Sequence, residues 1–410
     1  MNNDGDNEVK MANEKRALSG IKVCDLTQGI AGPHATMLLA LHGADVTKIE
    51  PLDGDWSRVL GKPRGQETTE SIAVNRAKRS VSCDLKSEAG REIVRRMIAQ
   101  SDIFIESFRP GVIARMGLGY EEVRKIKPDI VYASISGFGQ TGPNAQRPTV
   151  DGLIQAYSGM MVMNRTPDGI PHRQGMIAVD VLTGLYIYQA VSAALIRQLR
   201  FGEGSFLDIS MMQSAAAFQS AKIMEHVAFE GKPAPLYVPS GMYPTADGYV
   251  VISGMRDRHF AALCEVMNRS DLATDPRWPT QTARVQHGEF INGEIRKETV
   301  KRTTAEWLKD LHAAGVFAEV VQGYSEWLDS EHVKAVQAYT VAGQSAFGPL
   351  PMVHIPGTSR DDSASDHRTP LIGEHTRELL GELGFEAAWI NEQIAAGKIG
   401  ETVRPATTTA

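Results

Sequence analysis

Cysteine is scarce in this sequence and is not arranged for cross-linking or metal binding. The 410 residues include three cysteines, Cys24, Cys83 and Cys264, which are widely spaced and form no CxxC pair. An odd, scattered set of this kind argues against a disulfide framework and contains no zinc motif, so we predict no metal site. Free thiols are typical of a reducing compartment, and we therefore expect a cytoplasmic protein.

Long hydrophobic runs are also missing. Residues 1–17 mix acidic and basic side chains without an apolar segment, which argues against a signal or transit peptide and predicts a disordered tail. The Thr-, Ala- and Pro-rich residues 401–410 are predicted to form a second disordered tail. The most apolar stretch, Val181 to Leu199, is interrupted by polar side chains, so we predict a buried core helix rather than a membrane span.

Basic side chains are not in excess over acidic ones. Lys and Arg number 43 against 49 Asp and Glu, and the net charge of −6 argues against general binding to nucleic acid or anionic membranes. The chain is 42% hydrophobic and 22% charged, as globular proteins are. Its length predicts two or three domains, or one large α/β unit with an insertion.

The first part of the chain has the pattern of a parallel sheet. From Ile21 to about Ser136, short Val- and Ile-rich runs alternate with helical patterns, which is typical of βαβ units. Ligands bind at the carboxyl ends of such strands, so the loops at 27–33, 107–110 and 136–143 are the candidate binding loops. Around Tyr237 to Ser253 the pattern changes to a hairpin followed by helices, which predicts a second domain.

A glycine motif follows one of the predicted strands but lacks the context of a dinucleotide site. Gly137, Gly139 and Gly142 form a GxGxxG, yet Pro143 follows directly and leaves no helix N-terminus for a pyrophosphate. A nicotinamide-dependent oxidoreductase is therefore a disfavoured alternative. The motifs of P-loop proteins, zinc proteases and α/β-hydrolases are missing from the sequence.

Two features remain with more than one interpretation. Residues 75–96 contain seven basic and three acidic side chains, which could bind phosphates or could simply form solvated faces of a helix and a loop. Asp180 lies between an apolar segment and an apolar helix, where a carboxylate is either an N-cap or a functional group. Spacing alone does not decide between these interpretations.

The sequence resembles the class III CoA-transferase family, also called CaiB/BaiF, which includes formyl-CoA transferase, carnitine CoA-transferase and the α-methylacyl-CoA racemases. The resemblance covers nearly the whole ordered chain. Six segments carry it, in the family's order: DLTQGIAGPHATMLLALHGADVTKIEP, NRAKRSVSCDLKSEAG, SFRPGVIARMGLGYEEV, SISGFGQTGP, VDVLTG and LIGEHTRELLGELG.

The resemblance implies an acyl-CoA:carboxylate CoA-transferase whose nucleophile is Asp180. This carboxylate would attack the donor thioester, giving a mixed anhydride and then an aspartyl-CoA thioester, from which the acceptor carboxylic acid receives CoA. Asp151 matches a second acidic position near the family's active site and is expected to orient or polarise. No permanently bound cofactor is implied, since coenzyme A and acyl-CoA are substrates.

The family's CoA contacts correspond to a set of residues at the strand ends, with Arg147 as an additional candidate: Ile30, Ala31, Lys86, Ser107, Phe108 and Arg115. Ile30 replaces a glutamine of formyl-CoA transferase, and the glycine run of that enzyme is missing after Tyr237, so formyl or oxalate specificity is doubtful. The racemases have a histidine where this chain has Val150, which disfavours the alternative of a 2-methylacyl-CoA racemase or epimerase. A CoA-binding member without catalysis is disfavoured because Asp180 is retained.

The family's fold implies a large doubly wound, Rossmann-like α/β domain built from both chain ends. We expect this domain to comprise residues 18–227 and 323–400, with a smaller α+β domain at 228–322. Family members form interlocked homodimers, which the long connections at 216–237 and 347–366 would permit. The expected partners are therefore an acyl-CoA, a small carboxylic acid and a second copy of the chain.

Overall fold

The protein divides into two compact units. The structure, a computed structural model, describes residues 16–166, 168–232, 235–358 and 368–404. One unit comprises Met1–Ser220 together with Ala338–Ala410, and the other comprises Ala221–Gln337. The second unit extends beyond the predicted 228–322 at both ends, because short helices on each side of that range belong to it.

A seven-stranded, mostly parallel sheet forms the first unit, as predicted from the alternating pattern. Its spatial order is β12-β3-β2-β1-β4-β5-β6, and the strands are β1 (Lys22–Leu26), β2 (Asp45–Glu50), β3 (Arg79–Cys83), β4 (Ile103–Glu106), β5 (Val131–Ser136), β6 (Ser205–Ser210) and β12 (Ile399–Gly400). All neighbours pair in parallel except β12, which is antiparallel to β3. The order from β3 to β6 is that of a doubly wound nucleotide-binding sheet, whose topological switch point lies between β1 and β4.

Helices cover both faces of this sheet. They are α1 (Ala31–Leu41), α2 (Thr69–Asn75), α3 (Glu88–Ala99), α4 (Val112–Arg115), α5 (Tyr120–Ile126), α6 (Asp151–Tyr157), α7 (Met160–Met163), α8 (Ala178–Phe201) and α9 (Met211–Phe218), and near the C-terminus α18 (Thr376–Glu382) and α19 (Ala387–Ala395). The apolar sides of α1 and α8 enclose one core cluster with the sheet. A second cluster on the opposite face includes side chains of α3, α18 and α19. Both chain ends therefore build this unit.

The long helix α8 is only in part the buried core helix that was predicted. One face is buried against α1 and the sheet, whereas other apolar side chains are exposed, among them Leu185, Ile196, Leu199 and Phe201. Within the described chain it is the helix whose length and composition would suffice to cross a membrane, although 39% of that window is buried in the fold. A single helix of this kind is weak evidence for a membrane span.

The second unit has its own core and the predicted hairpin. Its strands are β7 (Ser240–Pro244), β8 (Tyr249–Ser253) and β9 (Phe317–Val320), and its helices are α10 (Ser220–Ala228), α11 (Asp257–Val266), α12 (Ser270–Ala273), α13 (Gln281–Gln286), α14 (Gly288–Thr299), α15 (Thr304–Ala313), α16 (Tyr324–Asp329) and α17 (Glu331–Ala335). The three strands are antiparallel and pack with Trp278 and Trp307 in one apolar cluster.

After the second unit the chain returns to the first one. A further hairpin of β10 (Tyr339–Ser345) and β11 (Gly348–Val353) precedes the C-terminal helices. The predicted tails fall mostly outside the described residues, but part of the C-terminal one was predicted wrongly. Glu401 pairs with Arg377, and the Arg404 guanidinium donates to Glu374 at 3.0 Å, so charge pairing orders this part of the chain.

Candidate active site

The loops after β1 and β4 meet at the switch point of the sheet. The backbone N–H of Gln28 donates to Ser107 Oγ at 3.0 Å, which joins the two loops. The same loops contain Ile30 and Phe108, both predicted contacts for CoA. Three of the predicted binding residues on these loops therefore lie together at the carboxyl edge of the sheet, where an open α/β fold binds its ligand.

A cavity of about 390 Å³ opens at this edge and is called here the Asp180 cavity. The residues that line it are Leu26, Gln28, Ile30, Ala31, Gly32, Trp56, Ser107, Phe108, Arg109, Pro110, Ile135, Ser136, Gly137, Ala145, Arg147, Pro148, Thr149, Val150, Asp180 and Met211. Most of them are apolar, and Asp180 is the carboxylate among them. The structure thus brings the predicted nucleophile together with five of the predicted CoA contacts.

Asp180 belongs to the first turn of α8, but it does not cap that helix. The N-cap position is Ile177, and the capping role is taken by Asp151 from the start of α6. One oxygen of Asp151 accepts from the backbone N–H groups of Val179 at 2.6 Å and Asp180 at 3.1 Å, and the other accepts from Gln155 at 2.6 Å. The N-cap interpretation of Asp180 is therefore wrong, because another carboxylate already satisfies this helix end.

The Asp180 carboxylate is left without a hydrogen-bond partner among the described residues, although Asp180 is only 9% exposed. Burial, and secondly the charge of Asp151, raise the pKa of Asp180 to about 7. A buried, unpaired carboxylate of this kind costs stability, and such costs are found where a group reacts.

A glycine one turn beyond Asp180 allows α8 to approach the binding loop closely. A Cβ at Gly184 would lie 2.9 Å from the Ala31 carbonyl oxygen and 2.5 Å from Nδ1 of His34, both on α1. Only glycine fits this contact without displacement of one helix. Because residues four apart lie on one face of a helix, the contact places Asp180 beside the loop that precedes α1.

A second cavity of about 300 Å³ continues along the carboxyl ends of β1, β2 and β3 and is called here the Lys86 cavity. Its lining comprises Leu26, Gln28, Ile49, Glu50, Pro51, Leu52, Asp53, Cys83, Asp84, Leu85, Lys86, Phe108 and Met116. Leu26, Gln28 and Phe108 line both cavities. An elongated ligand could therefore extend from Lys86 past Phe108 to Asp180.

The basic segment at 75–96 does not act as one surface. Of its seven basic side chains, Lys86 lines the Lys86 cavity, and the other six line neither of the two cavities. Lys78 is buried in an ion pair with Asp25, Arg79 pairs with Asp45, and Arg91 and Arg95 both pair with the same glutamate, Glu88. Most of this positive charge is thus neutralised within the fold.

The remaining predicted contact, Arg115, lies elsewhere, and several cavity-lining residues were not singled out from the sequence. Arg115 is exposed on α4 and belongs to neither of the two linings. Gln28, Trp56 and Arg109 line the Asp180 cavity without having been singled out from the sequence. Gln28 and Arg109 lie within the predicted binding loops 27–33 and 107–110, whereas Trp56 lies in a segment that carries no such signal in the sequence.

A buried network of charges supports the loop after β1. The Asp25 carboxylate accepts from Thr27, Thr36 and Lys78, and these contacts, with Lys48 nearby, outweigh burial and lower its pKa to about 2. The Lys48 ammonium donates to the Thr27 carbonyl at 2.8 Å and pairs with Asp55 at 2.8 Å. All of these side chains are buried, and none is more than 5% exposed.

The GxGxxG segment forms a turn and not a helix start. Gly139 and Gly142 have positive φ angles, and the next helix begins only at Asp151. The prediction that no pyrophosphate-binding helix follows this motif is confirmed. Within the described part of the chain, no cluster of three or more His, Cys, Asp or Glu side chains is placed to hold a metal ion.

The sequence matches CoA-transferase family III over residues 18–376. It is 33% identical over 399 residues to the succinyl-CoA:glutarate CoA-transferase of Mus musculus, covering 94% of this chain and 90% of that one. It is 37% identical over 317 residues to the acetyl-CoA:oxalate CoA-transferase of Acetobacter aceti, covering 75% and 82%. The crystal structure of a CAIB/BAIF family protein from Brucella suis matches with a TM-score of 0.80 and 31% identity, over 90% of this chain and 100% of the other.

The fold and these matches define a CaiB/BaiF-type transferase, and the chain belongs to CoA-transferase family III. It is an enzyme that transfers CoA between acyl groups. The resemblance stated from the six sequence segments is confirmed.

Proposed function

We propose that this enzyme moves CoA from a donor acyl-CoA to an acceptor carboxylic acid through covalent intermediates on Asp180. The observation that carries the proposal is the position of Asp180, a buried carboxylate without a hydrogen-bond partner in the described residues, on the same cavity as Ile30 and Ser107. In this proposal the nucleotide end of CoA lies toward Lys86, Phe108 borders the pantetheine arm, and the thioester reaches Asp180.

The first half of the reaction transfers CoA to the enzyme. An Asp180 carboxylate oxygen attacks the thioester carbon, and the C–S bond breaks to give a mixed anhydride and the CoA thiolate. The thiolate then attacks the Asp180 carbonyl carbon, and the donor acid leaves as a carboxylate. The product is an aspartyl-CoA thioester, so the energy of the donor thioester is retained without ATP.

The second half repeats these steps with the acceptor. An acceptor carboxylate oxygen attacks the aspartyl thioester carbon and expels the CoA thiolate, giving a second mixed anhydride. The thiolate attacks the acceptor's acyl carbon, and the bond between that carbon and the bridging oxygen breaks. Asp180 is regenerated as a carboxylate that contains one oxygen from the acceptor.

Asp151 is proposed to position Asp180 and to keep it reactive. Its carboxylate holds the Asp180 backbone N–H, which fixes the first turn of α8. Its negative charge also helps to raise the pKa of Asp180. A more basic carboxylate is a better nucleophile when ionised, and it remains ionised above about pH 7.

Short dicarboxylic acids are the proposed substrates. Succinate and glutarate occur in the name of the mouse relative, whereas Ile30 and the missing glycine run argue against the oxalate of the Acetobacter aceti relative. Arg109 and Arg147 line the Asp180 cavity and could balance the charge of an incoming carboxylate. We also propose that the enzyme works as a homodimer, interlocked as in the resembled family, which would cover the exposed apolar side chains of α8. The free cysteines support the further proposal that it is cytoplasmic. Analytical ultracentrifugation tests the dimer.

A panel of acyl-CoA donors and carboxylic acids tests the proposed activity. Mass spectrometry should detect a new acyl-CoA for at least one donor–acceptor pair, and Asp180→Asn should reduce its rate of formation by several orders of magnitude. Near-normal turnover by a folded Asp180→Asn enzyme would contradict the covalent route. The variant Asp45→Asn, changed at the opposite edge of the sheet, serves as a control.

A further inference from the structure

Asp55 is a buried carboxylate next to the Asp180 cavity to which the transfer reaction gives no role. It follows β2, is 1% exposed, and uses both oxygens within the fold. One oxygen accepts from the backbone N–H of Gly29 at 2.8 Å and from that of Ser57 at 2.9 Å. The other pairs with the Lys48 ammonium at 2.8 Å. Asp55 therefore connects the loop after β1 with the short 3₁₀ helix Trp56–Val59.

Three successive backbone N–H groups of this loop, those of residues 27–29, each donate to a side chain. Thr27 donates its N–H to Asp25 at 3.0 Å and offers its carbonyl oxygen to Lys48, while the Gln28 N–H donates to Ser107. The contact from Gly29 to Asp55 completes the series. Since Gln28, Ile30 and Ala31 line the Asp180 cavity, the shape of one cavity wall depends on these bonds.

Trp56, the residue after Asp55, packs on the same loop. Its indole lies against Gly29, so closely that a Cβ on Gly29 would be 2.1 Å from the indole ring. Trp56 also lines the Asp180 cavity. Asp55 precedes Trp56 directly and, by capping its helix, fixes the backbone from which the indole projects. The Asp55 side chain thus fixes both the conformation of the loop and the position of the indole that packs on it.

We propose that Asp55 is a positioning residue for acyl-CoA binding, which acts through Gly29 and Trp56 rather than by touching the substrate. This inference rests on the proposed function only in taking the Asp180 cavity as the acyl-CoA site. Lys48 has the complementary role of neutralising Asp55, because an unpaired buried carboxylate would not stay in this position.

The test measures binding separately from turnover. Free CoA is titrated into the wild type, Asp55→Ala and Asp55→Asn in a calorimeter, and the KM for the donor and the kcat are measured for each. We expect Asp55→Ala to weaken CoA binding and raise KM by roughly tenfold, the effect of losing a buried charged hydrogen-bond acceptor. Asp55→Asn keeps an acceptor for Gly29 and should recover part of the affinity. Asp45→Ala, at the amino end of β2 and paired with Arg79, should leave Kd and KM unchanged.

A double-mutant cycle identifies the route of the effect. If Asp55 acts through Trp56, the changes in CoA affinity caused by Asp55→Ala and Trp56→Ala will be less than additive in the double variant. A variant with a lowered melting temperature but an unchanged Kd for CoA would show that Asp55 only stabilises the fold, and would overturn the inference. Absence of CoA binding by the wild type would instead contradict the proposed function.

Discussion

The substitution Asp180→Asn should stabilise the protein while it removes the nucleophile. The pKa of Asp180 is raised from 3.8 to about 7, so the folded state holds this proton more tightly than the unfolded chain. Ionisation of the folded state therefore costs stability, and the cost grows as pH rises from about 4 to 7. Each unit of difference between the two pKa values is worth about 1.36 kcal/mol, so ionisation of Asp180 lowers the free energy of unfolding by about 4 kcal/mol at pH 8. The N-terminal turn of α8 favours the ionised form and offsets about 0.3–1 kcal/mol of this.

Melting temperatures of the wild type and Asp180→Asn, measured between pH 5 and pH 8, check the sign and the pH dependence. The variant should melt higher at pH 8, and its advantage should shrink by more than half at pH 5, where wild-type Asp180 is protonated. Asp25→Asn provides a buried control of opposite sign. Its pKa is lowered to about 2, so it stabilises the fold above about pH 4, and the substitution should lower the melting temperature at both pH values. Equal melting of wild type and Asp180→Asn at pH 8 would refute the reasoning.

Three further substitutions test the site. Asp151→Asn removes the charge that helps to raise the pKa of Asp180, so the inflection near pH 7 in kcat/KM should move to lower pH; an unmoved inflection would assign Asp151 a purely structural role. Gly184→Ala should cost about 1–3 kcal/mol in thermal unfolding and lower kcat, since its Cβ would press on the Ala31 carbonyl; full activity would contradict the close approach. Lys86→Glu should weaken CoA affinity, measured by thermal protection, roughly tenfold. Arg115→Glu, outside both cavities, should have a smaller effect, and the reverse order would contradict the placement of CoA in the Lys86 cavity.

The sheet could be predicted from the sequence because its strands are buried and apolar. Runs such as Ile103–Glu106 and Val131–Ser136 are hidden on both faces, and burial of this kind produces an unbroken apolar signal. The antiparallel strand β12 gives no such signal, since Ile399–Gly400 is two residues long and pairs with a strand more than 300 positions earlier. The predicted range of the smaller domain, 228–322, is shorter than the second unit, Ala221–Gln337. The reason is that short amphipathic helices look alike in either unit.

The residues of the candidate site that lie in sequence motifs could be predicted. The residues that reach the site only through packing of the fold could not. Asp180 lies in VDVLTG, and the structure places it on the cavity. Its spacing could not distinguish a cap from a nucleophile, because the competing capping group, Asp151, comes from a different helix. Trp56 and Asp55 reach the loop after β1 only through the fold, so their contacts with Gly29 leave no pattern in the sequence.

The fate of an acceptor oxygen tests the covalent role of Asp180 most directly. The enzyme is incubated with a donor acyl-CoA and an acceptor carboxylic acid labelled with ¹⁸O in both carboxyl oxygens, and the peptide containing Asp180 is weighed by mass spectrometry after turnover. Resolution of the second anhydride leaves one acceptor oxygen on Asp180, so this peptide should gain about 2 Da in the first turnover and up to about 4 Da after many turnovers, while peptides with Asp151 stay unlabelled. Transfer of CoA with an unlabelled Asp180 would contradict the covalent mechanism.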